Sequence, residues 1–151
     1  MMKVWREVVE DVNVEVLEFD DTVETVEKAS RLSGYPPQMI IKTLLTRSDD
    51  NEYMIFIVRG DRRIDHGKVE KYFKKKIFLA KPDEVKRFLG ADVGAVTPLS
   101  SKIKTLKIIV DPMILEHEYI ICGGGSLNRL YKIKTTDLIK YLNPQIIDLF
   151  K

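Results

Sequence analysis

The sequence predicts an α+β fold. It reads as one domain over residues 1–151, with a mixed or antiparallel, partly barrel-like sheet surrounded by short helices. Three observations carry that expectation. Several short runs rich in Val, Ile, Leu and Phe alternate with polar turns, which is the pattern of strands. The helix-period stretches between them are brief, and each is bounded by a capping residue, a proline or a glycine. The chain of 151 residues, 44% hydrophobic, contains no repeat, low-complexity tract or linker and suits one core.

Residues 14–19 mix alternation with an apolar pair and form the first expected strand. Thr22 is placed to cap a helix over 22–33, with apolar residues at 23, 26, 29 and 32 on one face. Gly34 would end it, and Pro36-Pro37 prevents its continuation. Residues 40–46 and 53–58 flank the turn-rich Ser48-Asp49-Asp50-Asn51 and predict a hairpin. A basic loop, Arg59-Gly60-Asp61-Arg62-Arg63, leads into a short helix at about 65–73. The strand 77–80 follows, then a helix opened by Pro82 and closed by Gly90. Residues 91–103 are punctuated by Gly and Pro and read as a loop. Strands are expected at 106–110 and 119–122. Gly123, Gly124 and Gly125 then turn the chain toward a strand at 129–133, and a last helix starts at Thr136 or Asp137 and runs to about Leu142.

Charge is abundant, at 32% of residues, and unevenly spread. Residues 1–27 carry a balance of −7 and residues 28–151 one of +9, so the basic body could meet a polyanion. The single cysteine, Cys122, excludes an intramolecular disulfide and suits a reducing compartment. The first residues, Met-Met-Lys-Val-Trp, turn acidic at once, so a signal peptide is not expected, and no apolar run has the length to cross a bilayer. A cytoplasmic protein with no membrane partner is the simplest expectation.

Lys42 stands in the otherwise apolar or β-rich run Met39-Ile40-Ile41-Lys42-Thr43-Leu44-Leu45. A charged amine in a segment that tends to be buried is costly unless it snorkels or is held for a ligand. Taken alone, either reading accounts for it. Most catalytic templates are absent. There is no G-x-S-x-G elbow, Walker A loop or G-x-G-x-x-G. His66 and His117 are too few and too far apart for a metal site, and neither a metal nor a cofactor is expected. Cys122 closes an apolar strand and reads as a small buried residue. Gly94-Ala95-Val96-Thr97-Pro98 is a turn whose amides could point into a cleft and hold a carbonyl oxygen or an oxyanion.

Together these segments resemble a known family. The helix before Lys42, Ile41-Lys42-Thr43-Leu44, the 59–63 loop, Gly94-x-x-x-Pro98, Ile109-Val110-Asp111, Gly123-Gly124-Gly125 and Thr136-Asp137-Leu138 occur in an order similar to that of the YbaK/ProX aminoacyl-tRNA deacylases. These are relatives of the editing domain inserted in some prolyl-tRNA synthetases. The resemblance runs from about residue 14 to 143 and implies the same fold. It further implies hydrolysis of the ester joining a wrong amino acid to the terminal adenosine of tRNA, with proline tRNA carrying Ala, Cys or another small residue as the expected substrate. Lys42 matches the family's essential lysine and would act with amides at Gly94 and Ala95. Thr43, Pro98, Gly123, Gly124 and Gly125 would line the substrate site. Arg59, Arg62 and Arg63 are candidates for phosphate contacts, with a solvated surface as the equal alternative. The mischarged acceptor end is the implied partner, prolyl-tRNA synthetase a second one, and the oligomeric state is left open.

Two departures bear on function. Family members that clear cysteine carry Ser-Gly-Gly and a later Asp that meets the thiol; an ungapped match sets Gly123 and Leu130 there, while a one-residue gap puts Cys122 at the serine. Leu127-Asn128 also falls where the family has Arg-Gly. A non-catalytic tRNA- or synthetase-binding module of the same fold is therefore the second expectation.

Overall fold

The computed structural model describes residues 2–151. Along the chain lie β1 (Met2–Val9), β2 (Val12–Phe19), α1 (Val26–Ser33), β3 (Ile41–Ser48), β4 (Tyr53–Arg59), α2 (His66–Phe73) and β5 (Ile77–Leu79). α3 (Pro82–Leu89), β6 (Lys107–Val110), β7 (Tyr119–Gly123), β8 (Arg129–Lys134), α4 (Thr135–Leu142) and β9 (Gln145–Ile146) complete it. The strands form two sheets. One is antiparallel, in the order β1-β2-β8-β7; the other is mixed, in the order β5-β3-β4-β6-β9, with β4, β6 and β9 parallel. The barrel does not close. A single parallel bridge from Ile40 to Ile121 joins the start of β3 to β7 at one seam.

Burial explains this layering. The inward faces of both sheets meet in a core that includes Val14, Val16, Ile55, Ile57, Val110, Ile120 and Ile133, sealed by Leu138 and Leu142 of α4. β4 runs through the middle of its sheet and is buried on both faces from Met54 to Val58, which accounts for its unbroken apolar sequence. Its second face packs Phe56 and Val58 with Val69 of α2 and Phe150. α1 lays Val26 and Ala29 over Leu17, Ile121 and Leu130 on the outer face of the antiparallel sheet.

Several boundaries differ from expectation. β1 was not foreseen; it pairs along its whole length with β2 through a turn at Glu10 and Asp11, both at positive φ. α1 starts later than residue 22, because Thr25 and not Thr22 is the cap, its hydroxyl accepting from the Lys28 amide at 3.1 Å. Such a cap is worth about 1 kcal/mol. α4 begins at Thr135, before the expected Thr136 or Asp137, and β9 is an added edge strand. Residues 91–103, expected as plain loop, contain a 3-10 turn at Val93–Ala95, and a second turn, Ile103–Thr105, begins at their end. The hairpin of β3 and β4 lies where the periodicity places it, with Lys42 opposite Val58.

Candidate functional site

The cavity that receives Lys42 follows from an incomplete pairing. β4 covers β3 from Ile41 to Arg47 on one side, but β5 pairs only with Thr46, Arg47 and Ser48 on the other. The stretch from Ile41 to Leu44 thus has a strand neighbour on one side only. Along it opens a cavity of about 420 Å³, to which Lys42, Thr43 and Leu44 all contribute. The other walls are Val23 to Val26 at the opening of α1, Val93, Gly94 and Val96 of the 3-10 turn, and Gly123 and Leu130 of the antiparallel sheet. Apart from Lys42, Thr43, Glu24 and Thr25, the lining side chains are apolar or absent.

Two glycines allow these walls to meet. A Cβ on Gly94 would lie 3.2 Å from Cα of Glu24 and closer still to its Cβ. A Cβ on Gly123 would lie 3.0 Å from the carbonyl carbon of Val96 and closer still to its oxygen. The G-x-x-x-P turn is therefore wedged between the start of α1 and the end of β7, and any side chain at either contact would push the walls apart.

Electrostatics are uneven around the cavity. Burial lowers the pKa of the Lys42 amine, an effect that Asp61 partly opposes. The amine donates to the backbone carbonyl of Arg62 at 3.0 Å. Glu24 is held down to about 2 by the Thr22 hydroxyl and by Lys28, whose Nζ lies 2.9 Å from Oε1. Cys122 backs onto the cavity but is fully buried, and burial pushes its thiol up to about 12, so it is protonated and inert at neutral pH.

Lys42, Thr43, Gly94 and Gly123 are thus brought together on one cavity. The remaining candidates stand elsewhere. Ala95 is buried, and its N–H is already committed to the Asp92 carbonyl at 2.9 Å. Pro98 is buried behind the turn. The Gly124 amide closes the β7–β8 hairpin on the Arg129 carbonyl at 3.1 Å, and Gly125 takes φ +84 in open space. Arg59 is tied to Asp61 at 2.7 Å and Glu116 at 2.9 Å. Arg62 pairs with buried Asp111 and with Asp148. Only Arg63, of the three arginines, leaves its guanidinium exposed without an ion pair. The contribution of α1, through Glu24, Val26 and Ala29, was not singled out from the sequence. Among the described residues no group of three or more His, Cys, Asp or Glu side chains could hold a metal ion, and no helix is long and apolar enough to cross a membrane.

An α+β protein with a lysine-bearing, largely apolar cavity at the seam of two sheets is what the geometry defines. The sequence model of the aminoacyl-tRNA editing domain matches residues 20–141, and the chain belongs to that family. It is 30% identical over 110 residues to a proline–tRNA ligase of Thermotoga neapolitana, a match that spans 72% of this chain. To the corresponding ligase of Staphylococcus aureus strain Newman it is 31% identical over 105 residues, or 69% of this chain. In both cases the match covers only 18% of the ligase. A solved structure described as a candidate trans-editing enzyme for prolyl tRNA synthetase superposes with a TM-score of 0.81. That alignment covers 91% of this chain and 87% of the other at 24% identity, and shows that the fold is shared.

Proposed function

We propose that this chain is a trans-editing deacylase that hydrolyses the ester of mischarged tRNA, proline tRNA carrying alanine, cysteine or another small residue. The observation that carries this reading is the placement of the Lys42 amine and Gly94 on the walls of one cavity that is otherwise largely apolar. The aminoacyl side chain would sit among Val26, Ala29, Ile40 and Leu130. The one acid on the cavity wall, Glu24, is paired through Oε1 with Lys28 at 2.9 Å, and the one nearby thiol is buried and protonated. Alanine is therefore favoured over cysteine.

The chemistry needs no protein nucleophile. Water attacks the ester carbonyl, and the negative charge developing on its oxygen is met by the Gly94 amide and the Lys42 ammonium. A ribose hydroxyl of the terminal adenosine orients the water. Arg63 remains available to the acceptor phosphates, where Arg59 and Arg62 are engaged by carboxylates. Prolyl-tRNA synthetase is the proposed partner that supplies the mischarged product.

The test is a panel of mischarged tRNAs with the wild-type chain and Lys42→Ala. Deacylation of alanyl-tRNA for proline is expected, falling by roughly a hundredfold to a thousandfold in the variant. Salt-sensitive tRNA binding without turnover would assign the chain instead as a binding module of the same fold. Equal turnover without Lys42 would remove the mechanism.

A further inference from the structure

Four carboxylates lie around the loop that faces Lys42, yet none takes its amine. Asp61 and Glu116 are taken by Arg59, and Asp111 and Asp148 by Arg62. The amine's hydrogen bond goes to a neutral acceptor, the Arg62 carbonyl. A carboxylate there would cancel the charge offered to an anionic ligand, whereas a carbonyl fixes the ammonium and leaves its charge intact.

That carbonyl is held from behind. Asp111 directly follows β6 and is fully buried. Its Oδ2 accepts from the Arg59 amide at 3.2 Å, and its Oδ1 accepts from the Met113 amide at 3.0 Å and pairs with the Arg62 guanidinium. One carboxylate therefore grips both ends of the 59–62 turn. Arg62 Nη2 also reaches Asp148 at 3.1 Å, and Arg63 exchanges two 2.9 Å backbone hydrogen bonds with Lys151.

We propose that Asp111 and Arg62 are positioning residues, a buried clamp whose purpose is to aim the Arg62 carbonyl at the Lys42 amine and hold that amine at the cavity wall. This deepens the deacylase reading and rests on Lys42 being its anchor. A lysine stem is flexible, and a half-buried ammonium with no acceptor would rotate out to water. The clamp opposes that rotation without touching substrate.

The experiment uses the full chain with Arg62→Gln and, separately, Asp111→Asn. Arg62→Gln keeps the backbone carbonyl and removes only its restraint. Thermal melting checks that each variant is folded, NMR titration of the Lys42 side chain reads the amine's surroundings, and kcat and KM are measured on the mischarged tRNA. Charge loss alone would raise the Lys42 titration in Arg62→Gln and lower it in Asp111→Asn, so a clamp is read from a rise in both variants. The proposal expects that titration to move up toward an ordinary lysine in the folded variants. It also expects kcat to fall by roughly a hundredfold, the scale of an ångström-size misplacement, with KM little altered. Folded variants with an unchanged Lys42 titration would overturn it. So would a wild-type Lys42 that titrates as an ordinary exposed lysine, a result that needs no variant to fold. If the wild-type chain hydrolyses no aminoacyl-tRNA, the deacylase reading fails while the titration still decides the clamp.

Discussion

Replacing Gly123 by alanine should damage both the fold and the cavity, by an amount that the geometry sets. The new methyl carbon would stand 3.0 Å from the Val96 carbonyl carbon and closer still to its oxygen. Comfortable carbon–carbon contact needs about 3.5–4.0 Å, so the two backbones must separate by roughly an ångström. Neither gives easily. Gly123 is paired in β7 with Leu130, and Val96 is buried between its turn and the core. Overpacking of this kind costs about 1–3 kcal/mol, and a backbone obstacle belongs at the upper end. For a chain of this length that is a melting point lower by roughly 6–12 °C. Because the displaced atoms form a cavity wall, deacylation should fall by roughly a hundredfold in the protein that remains folded. Thermal denaturation followed by circular dichroism and single-turnover deacylation at a temperature well below the transition measure the two effects. Gly125→Ala is the control. It meets open space and carries only the cost of φ +84, about 1–2 kcal/mol, with the cavity untouched. A Gly123→Ala protein that melts within about 2 °C of wild type and deacylates normally would refute the close approach.

Lys42→Met removes a half-buried amine together with its hydrogen bond to the Arg62 carbonyl, so the relief of desolvation and the lost bond oppose each other and stability should change by less than about 1 kcal/mol while activity falls by at least roughly a hundredfold; a denaturant titration read with the deacylation assay separates the two. The Glu24 carboxyl is depressed from 4.5 to about 2 in the folded chain, so it contributes stability above pH 4.5 that disappears as pH falls toward 2. Glu24→Gln should flatten the acid limb of the stability curve in that window, and an unchanged slope in urea titrations across it would contradict the assignment. Cys122 should resist thiol reagents at pH 8 in the native chain and react at once in denaturant; rapid native labelling would show that its thiol is neither buried nor protonated.

Much of the architecture was legible because it rests on local signals. The β3–β4 hairpin follows from two β-rich runs around a polar turn, and α3 from Pro82 at its first position and Gly90 past its end. β1 was hidden because its turn is Glu10-Asp11, not the glycine-bearing pair that advertises a tight hairpin, and because its apolar residues fall on both faces, with Met2, Val4 and Val8 exposed. The shift of the α1 cap from Thr22 to Thr25 is as local: both hydroxyls fit the pattern, but Thr25 accepts from the Lys28 amide while Thr22 accepts from the Lys28 side chain at 3.4 Å. At the site, Lys42 and Gly94 could be paired by the family's order of motifs. The partners of Arg59 and Arg62 could not, since Asp111, Glu116 and Asp148 lie some fifty to ninety residues away in sequence and become neighbours only through the parallel β4–β6 pairing and the returning C-terminal segment. A basic loop therefore looked like a phosphate contact when most of its charge was already engaged.

The half-covered edge of β3 separates what can be redesigned from what cannot. Val23, Val26, Ala29 and Leu130 present apolar side chains to the cavity and also pack α1 onto the sheet. Gly60, Gly94 and Gly123 set the walls by backbone approach, and at Gly60 even a methyl would come 2.7 Å from the Pro37 carbonyl oxygen. Libraries restricted to apolar residues of similar size over the first group should thus change which aminoacyl ester is accepted while the protein still folds, and libraries over the second should return almost nothing but glycine. Substrate choice and site assembly are written in different residues of the same cavity.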